Sequence, residues 1–147
     1  MRVDFHSGVA DKQAAASRFL RKAQAAGASV VVCGDSASLD RLDATLWTFD
    51  PLSFVAHVRV KGGALPPSLM RTPTWLVDVV SSVPARELLL NLGPEMVDGW
   101  EQFERVVEIV SADAADAEAG RRRWRQYSAR SAQSGFELVH HARSAET

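Results

Sequence analysis

The sequence predicts an α/β fold with three layers, a mostly parallel sheet flanked by helices on both faces. Two observations carry that reading. Short apolar runs rich in β-branched residues, such as ASVVVC at 28–33 and ERVVEIV at 104–110, suit strands buried on both sides. Segments with apolar residues at helical spacing alternate with them, and that alternation marks a parallel sheet with crossover helices. The 147 residues are 46% hydrophobic and 24% charged, which fits one domain with a core of its own. Its extent is set at 1–143, with a frayed tail at 144–147.

Met1 to His6 alternates and reads as a first strand. Asp11 can cap the helix that follows, whose Ala16, Phe19, Leu20 and Ala23 recur at i, i+3, i+4 and i+7. Gly27 stands where a left-handed C-terminal cap is expected. After the strand at 28–33, a second helix runs from about Ser38 to Trp47, with Leu39, Leu42, Leu46 and Trp47 on its apolar side. Asp50-Pro51 ends it. Phe54 to Val60 is a weakly alternating strand, and KGGALPPS at 61–68 is a flexible Gly/Pro-rich loop. Thr74 to Val80 and Glu87 to Leu92 are further interior strands. Glu104 to Val110 could be helix or strand, and its β-branched content favours strand. A long helix from Asp113 to about Ser134 begins with acids and ends with arginines, as the helix dipole prefers. Gly135 stops it, and Phe136 to His140 is a last short strand.

Such a fold invites a nucleotide, but neither a P-loop nor a G-x-G-x-x-G run is present. The CGDSAS turn offers one glycine ahead of a helix N-terminus, a generic feature. There is no G-x-S-x-G elbow. Cys33, the single cysteine, reads as a structural thiol in a reduced setting. His140 and His141 would point to opposite faces of a strand and make a poor metal pair. The sequence implies no cofactor and no metal. The N-terminus lacks a signal-peptide layout, no apolar run approaches the ~20 residues of a membrane span, and a cytoplasmic setting follows. The net charge of −1 argues against a stand-alone duplex-DNA binder, whose affinity rests on phosphate neutralisation.

RRRWRQY at 121–127 is the densest run of charge and aromatic area. On a helix, Ala117, Arg121, Trp124 and Ser128 share a stripe, Arg125 flanks it, Tyr127 lies further round, and Arg122 and Arg123 point elsewhere. The stripe is either a recess with an apolar floor and cationic rim, fit for an acidic peptide with a bulky apolar residue, or ordinary packing with solvated arginines. A third possibility is stacking of single-stranded bases on Trp124 and Tyr127.

R-L-D-A-T-L-W at 41–47 and D-P-L-S-F-V-A-H at 50–57 resemble the chi subunit family of bacterial DNA polymerase III holoenzyme. The resemblance continues through F-E-R-V-V-E-I-V at 103–110, R-x-R-W-R-x-Y at 121–127 and G-F at 135–136. It implies a non-catalytic accessory subunit whose fold is similar to nucleotide-binding folds without a working nucleotide site. It further implies a link between the clamp loader, through the subunit psi, and the acidic C-terminal tail of single-stranded DNA-binding protein (SSB), with DNA reached indirectly through SSB. The matching tail-binding positions are Val110, Ala117, Arg121, Trp124 and Arg125; those for psi are Trp47 and Phe54, which otherwise read as core. A monomer or a 1:1 heterodimer with psi is expected. Ala117 stands where family members often carry lysine, Ala56 replaces a proline before His57, and the interval from Tyr127 to Gly135 is about one helical turn longer than usual.

Overall fold

The computed structural model describes residues 1–48, 54–61 and 65–142. Its strands are β1 (Arg2–Val9), β2 (Val30–Cys33), β3 (His57–Val60), β4 (Thr74–Val77), β5 (Leu88–Asn91), β6 (Arg105–Ser111) and β7 (Glu137–Ala142). They form one sheet in the order β3-β4-β2-β5-β6-β1-β7, with every pairing parallel. The helices α1 (Lys12–Ala25) and α2 (Ser36–Thr48) cover one face, and α3 (Ala114–Ser134) covers the other. The α/β three-layer expectation is thus met.

Strand alternation divides the core. Along β6, Val107 and Ile109 pack with Leu20, Leu39 and Leu42 of the first two helices, whereas Val106 and Val110 pack with Tyr127 of α3. β2, β4 and β5 lie in the middle of the sheet and are apolar almost throughout, because neither of their faces meets water.

The helix ends follow local chemistry. Asp11 accepts from the Ala14 N–H at 3.1 Å, and Gly27 adopts φ 77° to close α1. Asp113 caps α3 by accepting from the Asp116 N–H, and Gly135, at φ 75°, ends it. α2 starts two residues earlier than expected, because Asp35 caps it and bonds both the N–H and the hydroxyl of Ser38. The expected Asp50-Pro51 stop lies outside the described residues.

Several strands differ from expectation. β4 ends at Val77, since Asp78 turns to Arg59 at 2.7 Å and a 3-10 turn starts at Val80. β3 begins at His57 rather than Phe54; of the loop expected at 61–68, positions 62–64 lie outside the described residues, and a 3-10 turn spans Pro67–Leu69. β1 runs past His6: its register shifts through Ser7 and Gly8, the latter at φ 71°, before Val9 pairs with Ser111.

On the α1 face of β1, the buried Asp4 carboxylate takes Arg2 Nε at 3.0 Å, Arg105 Nε at 2.8 Å and His141 Nε2 at 2.9 Å. Burial would raise this carboxyl, but the hydrogen bonds from Arg2, His141 and Arg105 outweigh it and hold it at about 2 against an ordinary 3.8. A lowered carboxylate contributes stability above its unfolded value and loses it as pH falls through the folded one. Wild type should therefore lose up to about 2 kcal/mol from this group as pH drops from about 5 toward 2. Urea denaturation across that range should show the gap between wild type and Asp4→Asn closing as the solution is acidified. A constant gap would remove the ionised Asp4 from the explanation.

Candidate functional site

β1 and β6 are neighbours, but the chain leaves them toward opposite faces, through α1 and α3 respectively. Carboxyl ends of strands splay at such a reversal and leave a crevice. Here it is a groove of about 410 Å³. Phe5, Ser7 and Gly8 of β1 form one wall, and Val110 and Ser111 of β6 lie beneath. Ala117, Gly120, Arg121 and Trp124 of α3 face them, and His140 of β7 closes one side.

The groove is mainly apolar because its residues are small or aromatic. Phe5 meets Trp124 edge to face with ring centroids 5.3 Å apart, which fixes the half-buried indole. His140 lies against the same indole, and its Nε2 is 2.6 Å from Ser7 Oγ. Gly120 lets α3 approach β6 closely: a Cβ there would lie 2.7 Å from Val110 Cγ1. Arg121 stands exposed at the rim. Among the described residues no carboxylate pairs with Arg121 or Arg125, so both guanidinium forks remain available. Near the start of α3, Asp116 takes Lys12 at 3.1 Å and the Ser111 N–H at 2.7 Å. Burial would lift that carboxyl, but these partners lower it. The helix N-terminus is therefore already supplied with negative charge.

The rotation of α3 is set from below. Arg123, expected to point away, is buried and donates from Nε to Glu108 at 2.9 Å and from Nη1 to the Pro94 carbonyl at 2.7 Å. Tyr127 has no exposed surface and donates to Glu108 at 2.9 Å; Asn91 donates to both carboxylate oxygens at 3.1 Å. Burial raises the Glu108 carboxyl, and Arg123, Asn91 and Tyr127 pull it back. Burial and the Glu108 charge push the Tyr127 phenol up, so it stays a donor. A buried Tyr127 cannot stack a base, which corrects the single-strand reading of this helix.

Of the five positions expected on the groove, Val110, Ala117, Arg121 and Trp124 line it. Arg125 is exposed and is not among the lining residues. Ser7, Gly8, Gly120 and His140 were not anticipated. A Ser-Gly pair closing a strand is a recognisable bulge signal; for Gly120 and His140 the helix and strand patterns hold no comparable one.

On another surface, Trp47 is 62% exposed and Phe54 is 43% exposed, with ring centroids 5.2 Å apart. The apolar side assigned to α2 is thus corrected at Trp47: Leu39, Leu42 and Leu46 are buried, and the tryptophan projects past them. His57 lies under both rings, Nδ1 2.6 Å from the Val55 carbonyl oxygen and Nε2 3.0 Å from Asp43. The two adjacent aromatics thus present one apolar patch to solvent.

The CGDSAS turn borders a third hollow, beside Asp35, Asp78, Glu95 and Asp98. That many carboxylates repel a phosphate. Cys33 in its wall is half-buried, its thiol pushed up to about 11 by burial, as suits a structural residue. No helix among the described residues is long and apolar enough to cross a membrane.

The family model of the DNA polymerase III chi subunit, HolC, matches residues 1–134. The chain belongs to that family, and so to the accessory subunits of the DNA polymerase III complex of DNA replication. No curated protein matches it at a significant level.

Proposed function

We propose that this chi-family chain tethers SSB to the clamp loader, holding the acidic SSB tail in the α3 groove and psi on the Trp47–Phe54 patch. One observation carries the reading: Arg121 and Trp124 stand together on a groove with apolar walls, and no carboxylate among the described residues occupies Arg121. An acidic peptide ending in an aromatic residue needs those two complements, a guanidinium for carboxylate and a dry aromatic wall for the ring. Arg125, further round, meets acidic residues upstream of the terminal one. With alanine at position 117, the tail has one cationic partner fewer than in many relatives. DNA is then reached through SSB, and the chain itself supplies no chemistry.

Loss of a charge-assisted contact costs about 1.5–3 kcal/mol, so Arg121→Ala should weaken binding of a synthetic SSB-tail peptide about tenfold or more. Calorimetric titration of wild type and variant measures this. The affinity of wild type should also fall with added salt. Equal affinities would move the tail off this groove.

A further inference from the structure

A second groove, of about 390 Å³, lies on the opposite face, between α1 and the β6–β1 part of the sheet. Its floor is aliphatic, with Leu88 and Ile109, and its rim is cationic. Arg18 and Lys22 lie one turn apart on α1, on the same side of the helix, and Arg105 faces them from β6. Among the described residues neither Arg18 nor Lys22 has a carboxylate partner. Asp4, which pairs with Arg105, has no exposed side-chain surface, so the rim presents positive charge to solvent. Phe19 lies half-buried beside Arg18, and His6, stacked on His141 at 4.6 Å, adds a second ring.

We propose that this groove is a contact site for single-stranded nucleic acid, with Arg18, Lys22 and Arg105 on successive phosphates and Phe19 and His6 beside the bases. Two features favour that ligand. Unpaired cations at helical spacing with aromatic rings in the same groove are the elements of a single-strand site, and the chain belongs to a DNA-replication complex. The overall charge of −1 makes the contact weak on its own. Weak contacts gain from tethering, since a linked partner raises the effective concentration to the millimolar range. Phe5 and Ser7 serve the first groove while His6, between them, serves this one. A ligand on each face can therefore be held at once.

The test is fluorescence anisotropy of a labelled oligothymidylate with the purified full chain at low salt, with no SSB present. Wild type should bind, and Arg18→Glu/Lys22→Glu should bind at least tenfold more weakly. Arg18→Lys/Lys22→Arg should retain binding. Removing two phosphate contacts should lower the slope of log K against log salt by about 1.4. Arg121→Ala, which tests the other groove, should leave oligonucleotide affinity unchanged. The proposal is overturned if wild type does not bind, or if the charge-reversed chain, shown folded by its melting transition, binds as well as wild type. It is equally overturned if polyglutamate competes as well as unlabelled oligonucleotide, since the groove is then a peptide site.

Discussion

Arg123→Leu is expected to cost about 3–5 kcal/mol of folding stability, more than any exposed arginine of the same helix. The substitution leaves the Glu108 carboxylate wholly buried without its cation, and breaking one half of a buried pair is costly because the remaining charge is uncompensated. Tyr127 and Asn91 still donate to Glu108, but neither neutralises it. Glu108→Gln removes the charge and keeps an acceptor for Tyr127. The double variant should therefore recover most of the loss. Urea denaturation of the four proteins in a double-mutant cycle reads the coupling directly. Additive losses would mean that Glu108 is already neutral in the native protein. The network has a functional consequence too. Arg123 and Tyr127 anchor α3 to β6 and the Pro94 loop, and that fixes the angle at which Arg121 and Trp124 enter the groove. Arg122, by contrast, pairs among the described residues with Glu118 alone, at 3.7 Å on the solvent side, and Arg122→Ala should change stability little.

Helical geometry placed Ala117, Arg121 and Trp124 on one stripe, and that stripe faces the groove. It also set Arg122 and Arg123 together as pointing elsewhere, and there local periodicity reached its limit. A helical wheel orders residues around an axis without saying which side meets the sheet. Arg123 goes inward because its partner, Glu108, stands on β6, in a run whose apolar neighbours hide it. The buried pair becomes visible only when strand alternation and helix rotation are superposed in space. The same holds at Trp47. Adjacent to the buried Leu46, it looked like part of the apolar side, yet it extends beyond the area that α2 covers and stays exposed. Strand identities were legible from alternation, short apolar runs and β-branched content, and helix ends from Asp11, Gly27, Asp113 and Gly135, because those signals act within a few residues. The groove depends on β1 meeting β6, α3 and β7, elements about a hundred residues or more further along the chain, which no local pattern encodes.

Gly120→Leu is expected to destabilise the chain by about 1–3 kcal/mol or more and to abolish the proposed tail-peptide binding in the α3 groove without touching Arg121 or Trp124. Glycine in the middle of a 21-residue helix is ordinarily about 1 kcal/mol worse than alanine, so an exposed position would gain from any replacement. At this one a Cβ would stand 2.7 and 2.8 Å from the two methyls of Val110. Val110 is buried and β-branched, with its χ1 restricted and packed neighbours around it, so it has little room to swing aside. α3 must lift from β6 instead, and overpacking of that kind outweighs the propensity gain. Lifting the helix also shifts the indole off Phe5 and widens the groove. Gly120→Ala should therefore fall below wild type in stability rather than above it, by about 1 kcal/mol. Pairing it with Val110→Ala opens space for the new methyl, and the second change should be far less harmful in that background than alone. Melting curves and tail-peptide titrations on the three variants separate the steric account from a simple propensity effect. A Gly120→Ala chain more stable than wild type would show that α3 has room to spare, and that the groove's width is not set by the contact between Gly120 and Val110.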